Sequence, residues 1–405
     1  RDCSDGKSLG SAIELLLTVF MGNECHVFRA VEELDNVVDE IRSAVSAGIP
    51  QGLSGICGFD GFIDTFIELE NPDSMEAFGP KVAEASGIAT SFTARHQGDR
   101  FGGNGPLFAS ALHSFFDSGV DITYMGAMGD PEILPVFREA LESSMKRMVS
   151  LADPAHSDCL EFRDGKVMLS DLRSCAEIHW DRLLERISRE DLDEELRRCR
   201  FVGAVNWGKL VNVGTIWKGI AEGITSQGRQ PKEVPFFMDL AEFEQRPLAD
   251  QKELVQLVST ISKECDTILS FNLKEAWQMA EVFGGSFKGE KAPEKIAELA
   301  GYLFEQIDVD RIVIHPNDGA ACASSSGAVY VPGPFCQKPL ISTGAGDTFG
   351  AGVMAARLMG LSDAAMVVCG ACASGYYVRT GKFPTVGQIL DLAQQWKKGS
   401  LPERL

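Results

Sequence analysis

From Gly52 onward the chain alternates short apolar runs rich in β-formers with helical patterns, and this rhythm restricts the fold more than any other feature. The β-rich runs occupy 53–59, 122–128, 201–207, 235–240, 267–271, 311–315 and 328–331. Helical patterns fall between most of them, at 106–116, 133–144, 180–199, 248–263, 273–282, 293–306, 347–359 and 363–377. Such alternation predicts an α/β fold of βαβ units, with a mostly parallel central sheet and helices on both faces. Several of the runs are apolar throughout, as strands buried on both faces must be. Segments 66–100 and 156–172 break the rhythm. Both are read as small strands outside the main sheet that together form a β lid over its edge.

Residues 1–50 read as an N-terminal helical extension ahead of one large domain, 51–405. Val27, Val31, Leu34, Val38, Ile41 and Val45 recur in steps of four and three. That is a helix stripe, narrow enough to pair with a second helix suggested by 13–21. Gly48-Ile49-Pro50 ends it. The stripe runs for under three heptads, so a docked cap is favoured over a dimerising coiled coil, and a homodimer stays open.

Composition narrows the partners. The 405 residues carry 38 Lys+Arg and 58 Asp+Glu, a net charge of −20, which argues against a nucleic acid or an anionic membrane surface. A small anion is not excluded, because backbone dipoles and a metal ion can hold one locally. No run approaches the ~20 apolar residues of a membrane span. Segment 13–21 follows Asp2 and Asp5 rather than a basic stretch, so it makes a poor signal peptide. The 11 cysteines have no framework spacing and no Asn-x-Ser/Thr occurs, so a reducing cytoplasm is the expected location. Cys369 and Cys372 make a Cys-x-x-Cys inside an apolar, small-residue run, where packing is favoured over metal or redox chemistry.

The strongest chemical signal is the run from Ile341 to Gly352, in which Gly344-Ala345-Gly346-Asp347 opens a helix. A glycine turn at a helix start presents unpaired N–H groups at the positive end of the helix dipole. It can hold an anion without a cationic side chain. Asp347, in the first turn, can accept a proton beside that anion, or can simply cap the helix. The run is not a Walker A loop, for no Gly-Lys-Ser/Thr follows.

Three further segments occur in order with it: Gly102-Gly103-Asn104-Gly105 before a small-residue helix, Gly126-Ala127-Met128-Gly129-Asp130 after the next strand, and Asn272-Leu273-Lys274-Glu275 after another. Together the four segments resemble the ribokinase-like carbohydrate kinases, the family that includes the phosphofructokinase-B type enzymes, over residues 53–384. The resemblance implies transfer of the γ-phosphate of ATP to a hydroxyl of a sugar, sugar phosphate or nucleoside. It implies Asp347 as general base and the N–H groups of Gly344, Ala345 and Gly346 as the anion hole. It places Gly102, Gly103 and Asn104 on the acceptor side with an aspartate, for which the chain offers Asp60 and Asp64; the family spacing favours Asp64. Asn272 and Glu275 would organise Mg2+ and phosphate, chiefly through water. His315, Gly319 and Thr343 would lie on the nucleotide side. Asp239 matches a position where the family often has Asp, and Asn206 and Trp207 end a strand near the presumed site.

The chain also departs from the pattern. Ile341 stands where the signature has Asp, and Ser342 where it has Thr, which puts a monovalent-cation site in doubt. The nucleotide-side strand ends in His315-Pro316-Asn317-Asp318-Gly319 instead of Thr-x-Gly. Two alternatives therefore stand beside ATP-dependent transfer: an ADP-dependent sugar kinase, and a non-catalytic ligand-binding protein on the same scaffold. A dinucleotide oxidoreductase is disfavoured, since no Gly-x-Gly-x-x-Gly with a later acidic residue follows a strand.

Overall fold

The computed structural model describes residues 25–117 and 119–405. Its strands are β1 (Cys25–Val27), β2 (Leu53–Phe59), β3 (Phe62–Asn71), β4 (Thr93–Gly102), β5 (Val120–Ala127), β6 (Arg147–Ala152), β7 (Ala155–Phe162), β8 (Gly165–Asp171), β9 (Phe201–Ala204), β10 (Pro235–Asp239), β11 (Asp266–Asn272), β12 (Arg311–His315), β13 (Gly319–Ser324) and β14 (Gly327–Pro332). Ten of them form one sheet in the order β1-β14-β13-β12-β11-β10-β9-β2-β5-β6. Its pairs are parallel except β12 with β13 and β13 with β14. The other four make a separate sheet, β4-β3-β7-β8.

Burial on both faces explains the apolar runs. Adjacent residues of a strand point to opposite faces. Ile56, Phe236, Leu269 and Ile312 enter one core layer, whereas Cys57, Phe237, Ile268 and Val313 enter the other. Helices Trp180–Arg186, Arg189–Arg198, Gly214–Ser226, Leu248–Glu264, Leu273–Val282 and Pro293–Gln306 cover the first face. Helices Asp35–Ala47, Asn104–Phe115, Pro135–Leu141, Ala345–Leu358, Asp363–Thr380 and Val386–Lys397 cover the second.

Strand order sets where a ligand can sit. From β2 the chain runs outward to β5 and β6 on one side; from β9 it runs through β10, β11 and β12 on the other. The sheet therefore has a topological switch between β2 and β9. In open α/β sheets ligands bind outside the carboxyl ends of the strands at such a point.

Several expectations from the sequence need correction. The helix stripe begins too early: Cys25–Val27 is a strand paired in parallel with β14. A 3-10 turn follows over Val31–Leu34, and the α-helix spans only Asp35–Ala47. Residues 1–50 are thus not helical alone, and 25–27 belong to the main sheet. The stripe still buries Leu34, Val38 and Ile41 against the second core layer. The helix suggested at 13–21 lies outside the described residues. The helical run 180–199 divides, because the Ser188 side chain accepts the amide of Asp191 and starts a second helix. The strand at 201–207 stops at Ala204, and Asn206 adopts φ 64°. Cys369 and Cys372 are free and fully buried inside Asp363–Thr380. Among the described residues, no helix is long and apolar enough to cross a membrane.

Asp266, whose side chain is 7% exposed, ties the layers together through Arg311 at 2.8 Å and Arg357 at 2.7 Å. Arg311 continues to Asp363 at 2.9 Å. Removing this buried carboxylate takes the ion-pair partner from Arg357 and leaves Arg311 with Asp363 alone. Asp266→Ala should cost about 3 kcal/mol of stability. Urea unfolding followed by circular dichroism checks this; an unchanged midpoint would contradict it.

Candidate active site

The carboxyl ends of five neighbouring strands converge on one cleft. Asp60 follows β2 and Asn206 follows β9; Asp239 ends β10, Asn272 ends β11 and His315 ends β12. Two helix N-termini, those of Asn104–Phe115 and Ala345–Leu358, face the same cleft from the second face of the sheet.

Asp60 joins these parts from beneath. It is fully buried, and its carboxylate accepts the amides of Asn104 at 2.8 Å and Gly105 at 2.7 Å. It also accepts Nδ2 of Asn206 at 2.5 Å. A Cβ on Gly105 would lie 2.5 Å from the Tyr124 hydroxyl and 2.8 Å from Asp60 Oδ1, so only glycine permits this grip. Burial still raises the Asp60 carboxyl above its ordinary value, against those three donors. Asp60 does not line the cleft. Its bonds are those of an anchor for the helix that presents Asn104, whereas Asp64, the other aspartate expected on the acceptor side, lines the cleft. Asn206, with its Oδ1 left without a partner, belongs to the same anchor. Trp207 faces elsewhere, stacked under the Arg246 guanidinium at 4.1 Å.

The cleft divides into two cavities. The first, about 420 Å³, is lined by Phe62, Asp64, Gly103, Asn104, Ser157, Met168, Lys209, Asp239, Glu242, Glu275 and Asp347, among others. The second, about 390 Å³, is lined by the 316–319 turn, Gly333–Cys336, Phe349, Ala371, Ser374 and Gly375. Asn272, His315, Ser342 and Gly346 line both, so the cavities meet at the loop before Asp347.

That loop is shaped for an anion. Gly344 caps the helix at φ 87°, a left-handed value that suits glycine. The amides of Gly344 and Gly346 donate to no group among the described residues. Ala345 differs from the expectation: its N–H is already given to Ser342 O at 3.2 Å. The Tyr377 hydroxyl fixes the loop by donating to Thr343 O at 3.0 Å.

Asp347 is buried with one neutral donor, Asn104 Nδ2, at 2.8 Å from Oδ1. Burial pushes its carboxyl up to about 8, and the Asp60 charge adds to the rise. Asp64 reaches the same cavity from β3, with its carboxyl also raised by burial. A Cβ on Gly102 would fall 2.3 Å from Asp64 Oδ2, so Gly102 acts by leaving room for that carboxylate. Burial raises Asp239 well above the usual range, with Glu275 and Asp347 adding repulsion.

Asn272 and Glu275 form a capping box. Glu275 N donates to Asn272 Oδ1, and Glu275 Oε2 accepts Asn272 N, each at 3.0 Å. Glu275 Oε1 accepts Glu242 N at 3.0 Å. Both carboxylate oxygens are thus engaged by backbone, which leaves Glu275 less free for a metal than the sequence implied. Among the described residues, no group of three or more His, Cys, Asp or Glu could hold a metal ion. The carboxyl groups of Asp239, Glu275 and Asp347, raised by burial and by neighbouring carboxylates, nonetheless fit a hydrated divalent cation, whose charge would favour their ionised forms.

His315 stacks on Phe349 with ring centroids 4.7 Å apart, and its Nε2 has no partner. Burial lowers it to about 4, so it stands neutral between the cavities. Gly319 lines the second cavity, while Thr343 lines the first. Asp130, from the Gly126–Asp130 segment, lies in a structural cluster with Arg182 and Arg186 instead. Sequence reasoning missed Lys209, whose Nζ lies 3.5 Å from Glu242 and 5.4 Å from the Phe62 ring centroid. No motif marks it; only the folding of the loop after β9 brings it to the cavity.

Comparison with known proteins gives a consistent picture. The model of the prokaryotic ketohexokinase family matches residues 30–396. A ketohexokinase of Haloferax volcanii is 25% identical over 367 residues, covering 86% of this chain and 94% of that protein. Among solved structures, a putative ribokinase II from E. coli in its apo form has TM-score 0.60 at 13% identity, covering 85% of this chain and 100% of its own. A putative ribokinase II from E. coli in complex with ATP and Mg2+ has TM-score 0.58 at 13% identity, with the same coverage.

Asp347 has a stability cost of known sign. Its folded value of about 8 exceeds the ordinary 3.8, so the folded state holds a proton that the unfolded state releases. Stability therefore falls as pH rises from about 4 to about 8 and stays low above that. Asp347→Asn should stabilise the chain by a few kcal/mol at pH 9 and by little at pH 4. Thermal unfolding across this range checks it; a pH-independent difference would contradict the assignment.

Proposed function

The chain belongs to the prokaryotic ketohexokinase family and is a carbohydrate kinase, and from that premise we propose that it moves the terminal phosphoryl group of ATP to a hydroxyl of a ketohexose. The observation that carries this reading is the meeting of two cavities at the 342–346 loop, with Asp347 on the first one's wall. The first cavity takes the sugar and the second takes the nucleotide. The name of the Haloferax volcanii relative supports the acceptor class, and the ATP complex of the E. coli neighbour supports the donor.

In this reading Asp64 and Asn104 bind sugar hydroxyls, and Lys209 orients them from the facing loop. Ionised Asp347 takes the proton of the attacking hydroxyl. Burial that lifts its carboxyl to about 8 also makes it a stronger base than an exposed aspartate. The free amides of Gly344 and Gly346 and the positive end of helix Ala345–Leu358 stabilise charge on the phosphoryl group. Most of the catalysis is positioning and charge stabilisation, as suits a loose phosphoryl-transfer transition state. Mg2+ would be held through water by Asp239, Asn272 and Glu275, where it supplies charge neutralisation for the phosphates.

The test is product analysis by phosphorus NMR, with ketohexoses, aldohexoses, ribose and adenosine as acceptors, and ATP or ADP as donor. Ketohexose phosphate formed from ATP is expected; preference for ADP or for a nucleoside would overturn the reading. Asp347→Ala should lose turnover by about 10³-fold or more. Wild-type kcat/KM should rise with pH toward a plateau above about 8, as Asp347 ionises. Asp64→Asn should raise the acceptor KM by roughly tenfold or more, the cost of one charge-assisted hydrogen bond.

A further inference from the structure

The acceptor cavity is short of positive charge for the reaction proposed above. Asp64, Asp239, Glu242, Glu275 and Asp347 line it, and Lys209 is the only cationic side chain among its lining residues. Lys209 is itself drawn toward Glu242 at 3.5 Å. A phosphoryl group entering this space meets its negative charge unless another cation is brought in.

Strand β8 of the small sheet brings one. Side chains two residues apart on a strand share a face, so Lys166, Met168 and Ser170 point together. Met168 lines the cavity, and Ser170 Oγ lies 2.8 Å from the hydroxyl of Ser157, which lines it too. Lys166 extends that same face past the cavity mouth. Its Nζ donates to Thr343 Oγ1 at 2.8 Å, which puts the ammonium one residue from the free amide of Gly344. Lys166 is also the cation that most favours ionised Asp64. It therefore sits between the acceptor carboxylate and the anion loop. An ammonium carries three donors, and the threonine uses one. As a surface contact this bond is worth under about 1 kcal/mol, too little to explain its place by stability.

We propose that Lys166 is a catalytic residue that neutralises the phosphoryl group during transfer; this rests on the kinase reading above. As the acceptor oxygen bonds to phosphorus, the bond from phosphorus to the bridging oxygen breaks, and its electrons leave with the nucleoside diphosphate. The hydroxyl proton goes to Asp347. Lys166 donates hydrogen bonds to the equatorial oxygens. The small sheet is thereby part of the catalytic apparatus and not only a cover.

Lys166→Met, Lys166→Arg and Thr343→Val separate this role from tethering. With ATP, Mg2+ and the ketohexose used by the wild type, Lys166→Met should lower kcat by about 10²-fold, as loss of a charge-stabilising donor does elsewhere. Sugar and ATP dissociation constants, read by calorimetry, should change by less than about threefold. Lys166→Arg should recover part of the rate, and Thr343→Val, which removes only the tether, should lose far less than Lys166→Met. Binding of ADP with aluminium fluoride and sugar should weaken in Lys166→Met by about the factor lost from kcat. An unchanged kcat in Lys166→Met overturns the proposal, as does a loss confined to substrate affinity or matched by Thr343→Val. A wild-type chain that phosphorylates no sugar overturns the kinase reading, and this role with it.

Discussion

Everything in the cleft depends on one buried carboxylate. Asp60 closes the carboxyl end of β2 by holding the first two amides of helix Asn104–Phe115 and the side chain of Asn206, which follows β9. Strands β2 and β9 are the neighbours between which the sheet reverses its order, so this grip spans the topological switch. Because the carboxylate occupies that helix N-terminus from below, Asn104 turns its own side chain outward to Asp347. The second helix N-terminus, at Gly344, is then held opposite the first. Packing keeps it there, with Gly350 against Phe237 and the Phe108–Phe237 stack behind it.

The same arrangement explains an apparent contradiction. A chain with a net charge of −20 gathers five carboxylates around a cavity suited to a phosphoryl group. Burial and mutual repulsion lift the carboxyls of Asp64, Asp239, Glu275 and Asp347, so they are costly to the folded state. In the proposed mechanism the anion is met by amides, a helix terminus, a hydrated cation and a lysine on a separate sheet. Acidic groups and phosphate would then share the site because most of that positive charge comes from the backbone, the cation and the small sheet. Gathering such groups at one site is a trade between stability and activity.

Much of the fold was legible because burial on both faces leaves long apolar strands, and a parallel sheet needs helices between them. The strands at 53–59 and 311–315 and the helices at 273–282 and 293–306 agree with the sequence reading to the residue. What escaped had no such signal. β13, Gly-Ala-Ala-Cys-Ala-Ser, is buried but built of small residues that favour no strand. β4 is exposed along nearly its whole length and reads as a polar loop. β1 is three residues long and continues the periodicity of the helix after it.

Within the site, Gly344 could be read from sequence because a left-handed turn favours glycine, and Asp347 because the resemblance carries it. The residues alone did not separate Asp60 from Asp64, since two carboxylates four apart give no sign of which one faces the cavity; only the family spacing favoured Asp64, the one that lines it. Lys166 and Lys209 are ordinary surface-like lysines until the fold places them. The account rests most directly on the electrostatic state of Asp347. Carbon-13 NMR titration of labelled aspartate, comparing wild type with Asp347→Asn to assign the resonance, measures it. A carboxyl titrating near 8 in the ligand-free protein is the predicted result. A value near the ordinary 3.8 would mean that the cavity does not hold its carboxylates against their own charge, and would contradict the account.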